Sequence, residues 1–484
     1  MGTSLRETGL AWSTRRSCQR SMKEEDRIVD EIRYIAASLV GAGIDRDALN
    51  EALQSNPHFI ACDAGTTDAG PFSLGSGHPA FAREAVKGDL TLLLGAGRRA
   101  GVPVLIGSAG TAGRDNQVDW VLDIADEIVK EAGAKLRTAV IYAEQDKDFL
   151  IEKLREGGIK PLDAAPHLDE DRIRRSSRIV GMMGVEPLQM ALAEGVDFVL
   201  AGRCSDTALY AAMPIMHGFP AGLAWHAGKV VECGTMACVT AGKGVMLVRL
   251  RHDDFIVRPF GQGLRCTPQS IAAHSLYENV DPFHFTECSG TIDITEATYE
   301  AIDAITVRAA GSRFHPAEAY TVKLEGAELA GYQTIIIGGI RDPFLLRQLD
   351  SWLAKVRAYI EETVARVLND RVTRDDYQIM FHVYGRDGVM GSLEPNRTEV
   401  PKEVGIVFEV TAPTQHLATT IAELSRQPLL HYPIAEWSGA TTSFACLHNP
   451  AHVERGAVYR FNVNHVVLPR SPQEMFRTKF VEIG

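Results

Sequence analysis

Three times before residue 210, a short apolar run stops at a glycine-studded polar loop that feeds a helical pattern. The runs are 58–62 (HFIAC), 102–106 (VPVLI) and 197–201 (DFVLA), and the loops are 63–77 (DAGTTDAGPFSLGSG), 107–116 (GSAGTAGRDN) and 202–206 (GRCSD). An unbroken apolar stretch of this length suits a strand buried on both faces, which has no solvent side to mark with polar residues. Strand, loop and helix in that order build a parallel sheet, and the loops then gather at the carboxyl ends of its strands. There the helix N-termini offer unpaired N–H groups to a ligand. Residues 136–143 (LRTAVIYA) with the helical 146–157, and the helical MMGVEPLQMALAEG ahead of the third run, add two more units. The pattern predicts an α/β fold with a mostly parallel sheet and helices on both faces, followed by a smaller α+β domain.

Three segments follow from this reading. Residues 1–22 are basic, rich in Ser, Thr and Arg and without an apolar core, so they are expected to form a disordered extension rather than a secretory signal. Residues 23–244 form the α/β domain. Its first element is expected to be an amphipathic helix over 24–39, because Ile28, Ile32, Ile35 and Leu39 recur with a period near 3.6. Residues 245–484 form the α+β domain. There 244–259 alternates apolar and polar, 318–324 and 332–338 read as a pair of strands, and 342–368 as one long helix. Further strands are expected at 378–384, 404–410 and 458–467, and a helix at 415–426.

Charge and composition exclude several classes. A formal net charge of −12 opposes binding to nucleic acid or an anionic membrane, so a small molecule is the expected partner. No apolar run approaches the roughly 20 residues of a membrane span. Eight cysteines without CxxC spacing predict neither a zinc site nor a disulfide framework, but the reduced thiols of a cytoplasm. The loose dinucleotide fingerprint GAGRRA at 95–100 is followed at once by Gly101-Val102-Pro103, which leaves no room for the helix it requires. No nucleotide cofactor is expected.

If the three loops converge, one cleft collects acids, hydroxyls and a guanidinium. Asp63, Asp68, Asp206 and Glu232 are the candidate acid–base groups. Glu232, after the apolar pair Val230-Val231, reads as a buried strand-end carboxylate whose pKa burial would raise. Arg203 could hold a substrate carboxylate with its planar fork, assisted by Thr66, Thr67, Ser76, Ser108, Thr111 and Ser205. The plainer alternative is that Arg203 and Asp206, three apart at a helix start, pair with each other. A divalent cation such as Mg could sit between two aspartates, although no spacing demands one. Cys204 and Cys233 fit buried thiols better than nucleophiles. Residues 265–283 form a polar helix with His274, Tyr277 and Glu278 on one face, and the turns 384–388 and 436–442 could cap the cleft.

Gly202-Arg203 with Ser205-Asp206, followed by Glu232-Cys233-Gly234, also carries a resemblance. The chain resembles the acyclic terpene utilisation protein A family from about residue 60 onward. The resemblance implies a cytoplasmic catabolic protein associated with branched acids or their thioesters, with a small companion subunit as a further partner, while a homo-oligomer is expected because most soluble enzymes form one. The loop CDAGTTDAGP and the tetrapeptide RCSD depart from the terpene-pathway pattern, which leaves a small polar acid open as substrate. Removing water needs a clamp, an acid and a base, so the expected activity is a hydratase or dehydratase acting on a small hydroxy acid or its acyl-CoA thioester. The alternatives are a non-catalytic, substrate-presenting subunit and an acyl or phosphoryl transferase.

Overall fold

The computed structural model describes residues 30–368, 371–435, 442 and 444–484. The expectations for 1–22, for the start of the first helix and for most of 436–442 lie outside these residues. The described chain divides into two compact units, one of residues 30–328 with 461–484 and one of residues 329–460.

The larger unit is built on a ten-stranded sheet. At its centre Ile32–Leu39, Phe59–Asp63, Val104–Gly107, Phe198–Ala201 and Leu136–Tyr142 run side by side and parallel. Alternate residues feed two apolar layers. Tyr34, Ala61, Leu105, Ile141 and Val199 enter one with Leu209 and Trp225 of the helices Ala208–Met216 and Ala221–Val231. Ile35, Ile60, Ile106, Val140 and Leu200 enter the other with Leu90 and Ile124 of Arg83–Ala100 and Asp115–Glu131. Gly97 lies inside Arg83–Ala100, where a Cβ would come within 2.4 Å of Val104, so the second glycine of GAGRRA serves close helix–strand packing.

The expectation of a mostly parallel sheet is overturned. Val245–Leu250 pairs antiparallel with Ile32–Leu39, and Asp254–Phe260, Val307–Ala310 and Thr298–Ala301 extend that side antiparallel. Arg477–Ile483 closes the opposite edge against Leu136–Tyr142, also antiparallel. The fold is therefore mixed. Helical patterns between strands reveal parallel units locally, whereas the edge partners come from segments hundreds of residues away that no local period records.

Two further corrections have the same root. Residues 32–39 are a strand whose two faces are both covered, so their apolar positions do not alternate and mimic a helical period. Of the segments read as two strands at 318–324 and 332–338, residues 322–324 and all of 332–338 belong to one strand, Val322–Ile340. Its first part pairs with Arg178–Met182 in the larger unit. In the smaller unit its later part, Tyr332–Ile340, pairs with Val404–Ala412, which also pairs with Gln378–Tyr384. Trp352, Val356 and Ile360 of Leu349–Val367 and Ile421 of Gln415–His431 pack in the core of that unit. No helix among the described residues is long and apolar enough to cross a membrane.

The loops at the carboxyl ends of the parallel strands touch backbone to backbone, which only glycine permits. A Cβ on Gly113 would lie 2.1 Å from the Arg203 nitrogen, and φ there is +66°. Gly113→Ala is therefore expected to cost about 2–4 kcal/mol, read as a lower denaturant midpoint with an unchanged slope.

Candidate functional site

Three adjacent parallel strands deliver the three loops to one place. Ala64 N–H donates to Gly107 O at 3.0 Å, Thr111 N–H to Ala64 O at 3.1 Å, Ser108 N–H to Gly202 O at 3.0 Å and Arg203 N–H to Gly113 O at 3.2 Å. Ser108 and Thr111 adopt φ of +47° and +100°, a left-handed conformation uncommon for serine and strained for a β-branched residue. Each is over-determined by its partners. Thr111 Oγ1 accepts from Ala80 N–H at 2.8 Å, and Ser108 Oγ, fully buried, meets the Arg203 guanidinium at 3.3 Å.

Arg203 sits at the centre, 5 % exposed. Its Nε donates to Glu325 Oε2 at 2.8 Å and Nη2 to Glu325 Oε1 at 3.4 Å, a fork that grips both oxygens of a carboxylate. Nη1 is shared among Ser108 Oγ, Cys204 O and Asp206 Oδ1 at 3.1–3.3 Å. The carboxylate suited to this fork is thus supplied from within the chain, from Val322–Ile340. Thr67 Oγ1 donates to Glu325 at 3.2 Å, and Lys323 Nζ bonds it at 2.9 Å. Burial opposes ionisation of Glu325, but the charges of Arg203 and Lys323 outweigh it and hold the carboxyl at about 2. The same ion pair keeps Arg203 protonated despite its burial.

The remaining carboxyls lack that compensation. Asp63, buried and near Asp206, is pushed well above the usual carboxylate range by desolvation and by the neighbouring charge, against the pull of Arg203. Among the described residues its Oδ1 has no hydrogen-bond partner. Asp206, whose side chain is 32 % exposed, is also raised, by burial of the cluster, with Arg203 opposing and Asp68 and Glu325 adding to the rise.

Glu232 caps the end of the helix Ala221–Val231 rather than a strand, which corrects the strand-end reading. A carboxylate there faces the negative end of the helix dipole. It takes Lys229 Nζ at 2.5 Å and Thr207 Oγ1 at 2.8 Å, and burial nonetheless lifts it to about 7. Glu287, from the strand His284–Glu287, accepts from Ser205 Oγ at 2.9 Å and is lifted by burial to about 8. Its Oε2 is buried without a partner among the described residues.

The structure therefore brings Asp63, Thr67, Ser108, Arg203, Ser205, Asp206 and Glu232 into one charged cluster. Thr66 and Ser76 instead accept from the backbones of Asp68 and His78, Thr111 braces residue 80, and Asp68 is exposed at the margin. Asp115 pairs with Arg477 elsewhere. Sequence reasoning missed Glu287, Glu325, Lys229 and Lys323. The signal for the two glutamates is a charged residue at a buried strand position: Glu287 shares the inward face with Phe285, and Glu325 lies between Leu324 and Gly326.

Desolvation raises the Cys204 thiol well above its usual range and Cys233 to about 12, so neither is a thiolate. His226, bonded to Ser312 and Ser275, is held neutral by burial at about 3. Among the described residues no three His, Cys, Asp or Glu side chains are grouped as a metal-ligand set.

A family model described as acyclic terpene utilisation family protein AtuA matches residues 75–449. The chain belongs to this family. The resemblance read from the sequence is thereby borne out, and the family's description names a catabolic setting, the utilisation of acyclic terpenes. No curated protein and no solved structure matches the chain. Arg203, Asp206, Glu232, Glu287 and Glu325 fall within the family match, and Asp63, Thr66 and Thr67 precede it.

Two outcomes follow from the electrostatics. Glu287 keeps its proton in the folded chain to about pH 8 and loses it near pH 4.5 when unfolded, so the unfolded state binds fewer protons across that window. This group removes up to ~1.4 kcal/mol of stability per pH unit between about 5 and 8. Glu287→Gln should flatten the fall of Tm over that range. Glu325→Gln leaves the buried Arg203 without its anion and should cost about 3–5 kcal/mol by chemical denaturation at neutral pH.

Proposed function

We propose that the chain is a catabolic lyase of the hydratase–dehydratase type, acting on a small hydroxy acid or its acyl-CoA thioester. The observation that carries this reading is the pair of buried carboxyl oxygens without partners, Asp63 Oδ1 and Glu287 Oε2, in a cluster whose carboxyls are shifted toward or above neutrality. A buried polar atom left unpaired costs free energy unless something else, such as a ligand, bonds it. Groups poised near working pH can both give and take protons.

Elimination of water from a 3-hydroxyacyl compound needs one proton removed from the α-carbon and one delivered to the departing hydroxyl. Asp206, the more exposed and bonded to Arg203, serves as base. Asp63, which retains its proton, serves as acid toward the hydroxyl, so that the C–O bond breaks to give water and the conjugated alkene. Glu287 and Glu232 restore the two protonation states between turnovers. Arg203, its fork occupied by Glu325, is a positioning residue for Asp206. Lys323, 36 % exposed at the side chain, is the cation to receive a substrate carboxylate or thioester carbonyl.

The test offers the purified chain 3-hydroxybutyrate, 3-hydroxybutyryl-CoA and branched 3-hydroxyacyl-CoA thioesters. It follows the ultraviolet absorbance of the alkene and, in heavy water, deuterium entry at the α-carbon. Turnover is expected with at least one of them, falling by roughly 10²–10⁴ in Asp206→Asn at unchanged Tm. In Lys323→Met, KM should rise with little change in kcat. If neither alkene nor deuterium exchange is seen with any of these compounds, the lyase reading fails and a substrate-presenting subunit takes its place.

A further inference from the structure

We infer that Cys238 and Cys266 form a peroxide-oxidisable dithiol, a modification site in the wall of a cavity separate from the carboxyl cluster's core. Their sulfurs lie 3.8 Å apart, and both residues are buried. The backbones are held in register beside them, since Val239 N–H donates to Arg265 O at 3.0 Å. That bond joins the residues next to the two cysteines and so holds Cys238 and Cys266 side by side. A disulfide needs the sulfurs to close to about 2.05 Å, which side-chain rotation can supply where backbones already face each other.

Access and reactivity point the same way. Cys238 lines a cavity of about 570 Å³ whose wall also includes Met236, Thr267 and Tyr277, so a molecule as small as hydrogen peroxide can reach it. The hydrogen bond shared by the two thiols favours the Cys238 thiolate, with burial opposing, whereas Cys204, Cys233 and Cys288 are all shifted upward by burial. Cys238 is therefore the sulfur that attacks.

The Cys238 thiolate displaces hydroxide from one peroxide oxygen and becomes a sulfenic acid, and the hydroxide takes a proton to leave as water. The Cys266 sulfur then attacks the sulfenic sulfur, its proton departing with the second hydroxide as water. The two thiols lose two electrons and two protons, and hydrogen peroxide is reduced to two waters.

The bridge would join the turn Gly234–Ala237, which follows Glu232-Cys233, to the N-terminus of the helix Pro268–Ser275. Beyond that helix, Tyr277 stacks on His274 at 5.7 Å and lies under Lys229 Nζ, 5.7 Å from its ring centre, and Lys229 bonds Glu232. Oxidation would thus stiffen the covering of the Lys229–Glu232 pair. That consequence for activity rests on the function proposed above, whereas formation of the bridge does not.

The intact chain is treated with graded hydrogen peroxide, quenched with an alkylating agent and mapped by peptide mass spectrometry without reduction. At the lowest effective dose the expected result is a linked peptide pair containing Cys238 and Cys266, with loss of two alkylatable thiols and ~2 Da per chain, reversed by dithiothreitol. In Cys266→Ser the same dose should leave Cys238 as a sulfenic acid trapped by dimedone. Hydrogen exchange over 234–239 and 268–277 should slow in the oxidised form. Oxidation of other cysteines first, or a Cys238 that stops at sulfinic acid in the unmodified chain, overturns the proposal whatever reaction the carboxyl cluster performs.

Discussion

The fork between Arg203 and Glu325 fixes one carboxylate as an anion in a cluster where burial pushes the other carboxyls the opposite way. Glu325 takes the Nε and Nη2 donors and Lys323 as well, and so remains an anion with its pKa near 2. What is left of the positive charge is Nη1, shared with a serine and a carbonyl before it reaches Asp206, and Lys229, committed to Glu232. Asp63 and Glu287 have no cation of their own and are driven to hold protons. A buried ion pair adds little net stability compared with a packed apolar substitute. Its consequence here is chemical: one strongly ionised carboxylate captures the cations, and several near-neutral acids stand beside it within reach of one another's charge.

That arrangement depends on the mixed sheet. The parallel strands ending at Asp63, Gly107 and Ala201 bring three loops together at their carboxyl ends, and Gly65, Gly113 and Gly202 let those loops interlock. Parallel strands alone would supply Asp63, Arg203 and Asp206. Glu287 and Glu325 arrive on antiparallel strands, one in a three-stranded sheet and the other paired with Arg178–Met182. The acids that complete the cluster therefore come from far along the chain, with 122 residues between Arg203 and Glu325 and 258 between Thr67 and Glu325.

This explains what could be read from the residues in advance. The loops at 63–77, 107–116 and 202–206 announced themselves because glycine density and a strand-to-helix change of period are local signals. Asp63, Arg203 and Asp206 are legible that way, and so is the parallel centre of the sheet, whereas Glu232 stands out only as an acid after an apolar pair that is helix and not strand. The pairing of Val245–Leu250 with Ile32–Leu39 and of Arg477–Ile483 with Leu136–Tyr142 depends on edges, and an edge carries no mark in the strand that will cover it. Ile32–Leu39 shows the converse failure, since burial on both faces erased the alternation that identifies a strand.

The i, i+3 pairing of Arg203 with Asp206 and the clamp role for Arg203 were alternatives on sequence grounds, and the geometry contains elements of both. Asp206 does bond Arg203, at 3.3 Å through one nitrogen, while the fork holds a carboxylate as a clamp would, from Glu325. A guanidinium used in this way cannot also receive a substrate in the same geometry, so on the function proposed above anion recognition falls to the half-exposed Lys323 on the other side of Glu325. Glu325 then links two functions: its ionisation fixes Arg203 beside Asp206, and its second oxygen orients the lysine. On the proposed function, a change in the charge of this one carboxylate would be felt both where a substrate's anionic end is received and where its protons are exchanged, tying binding to chemistry through a single buried side chain.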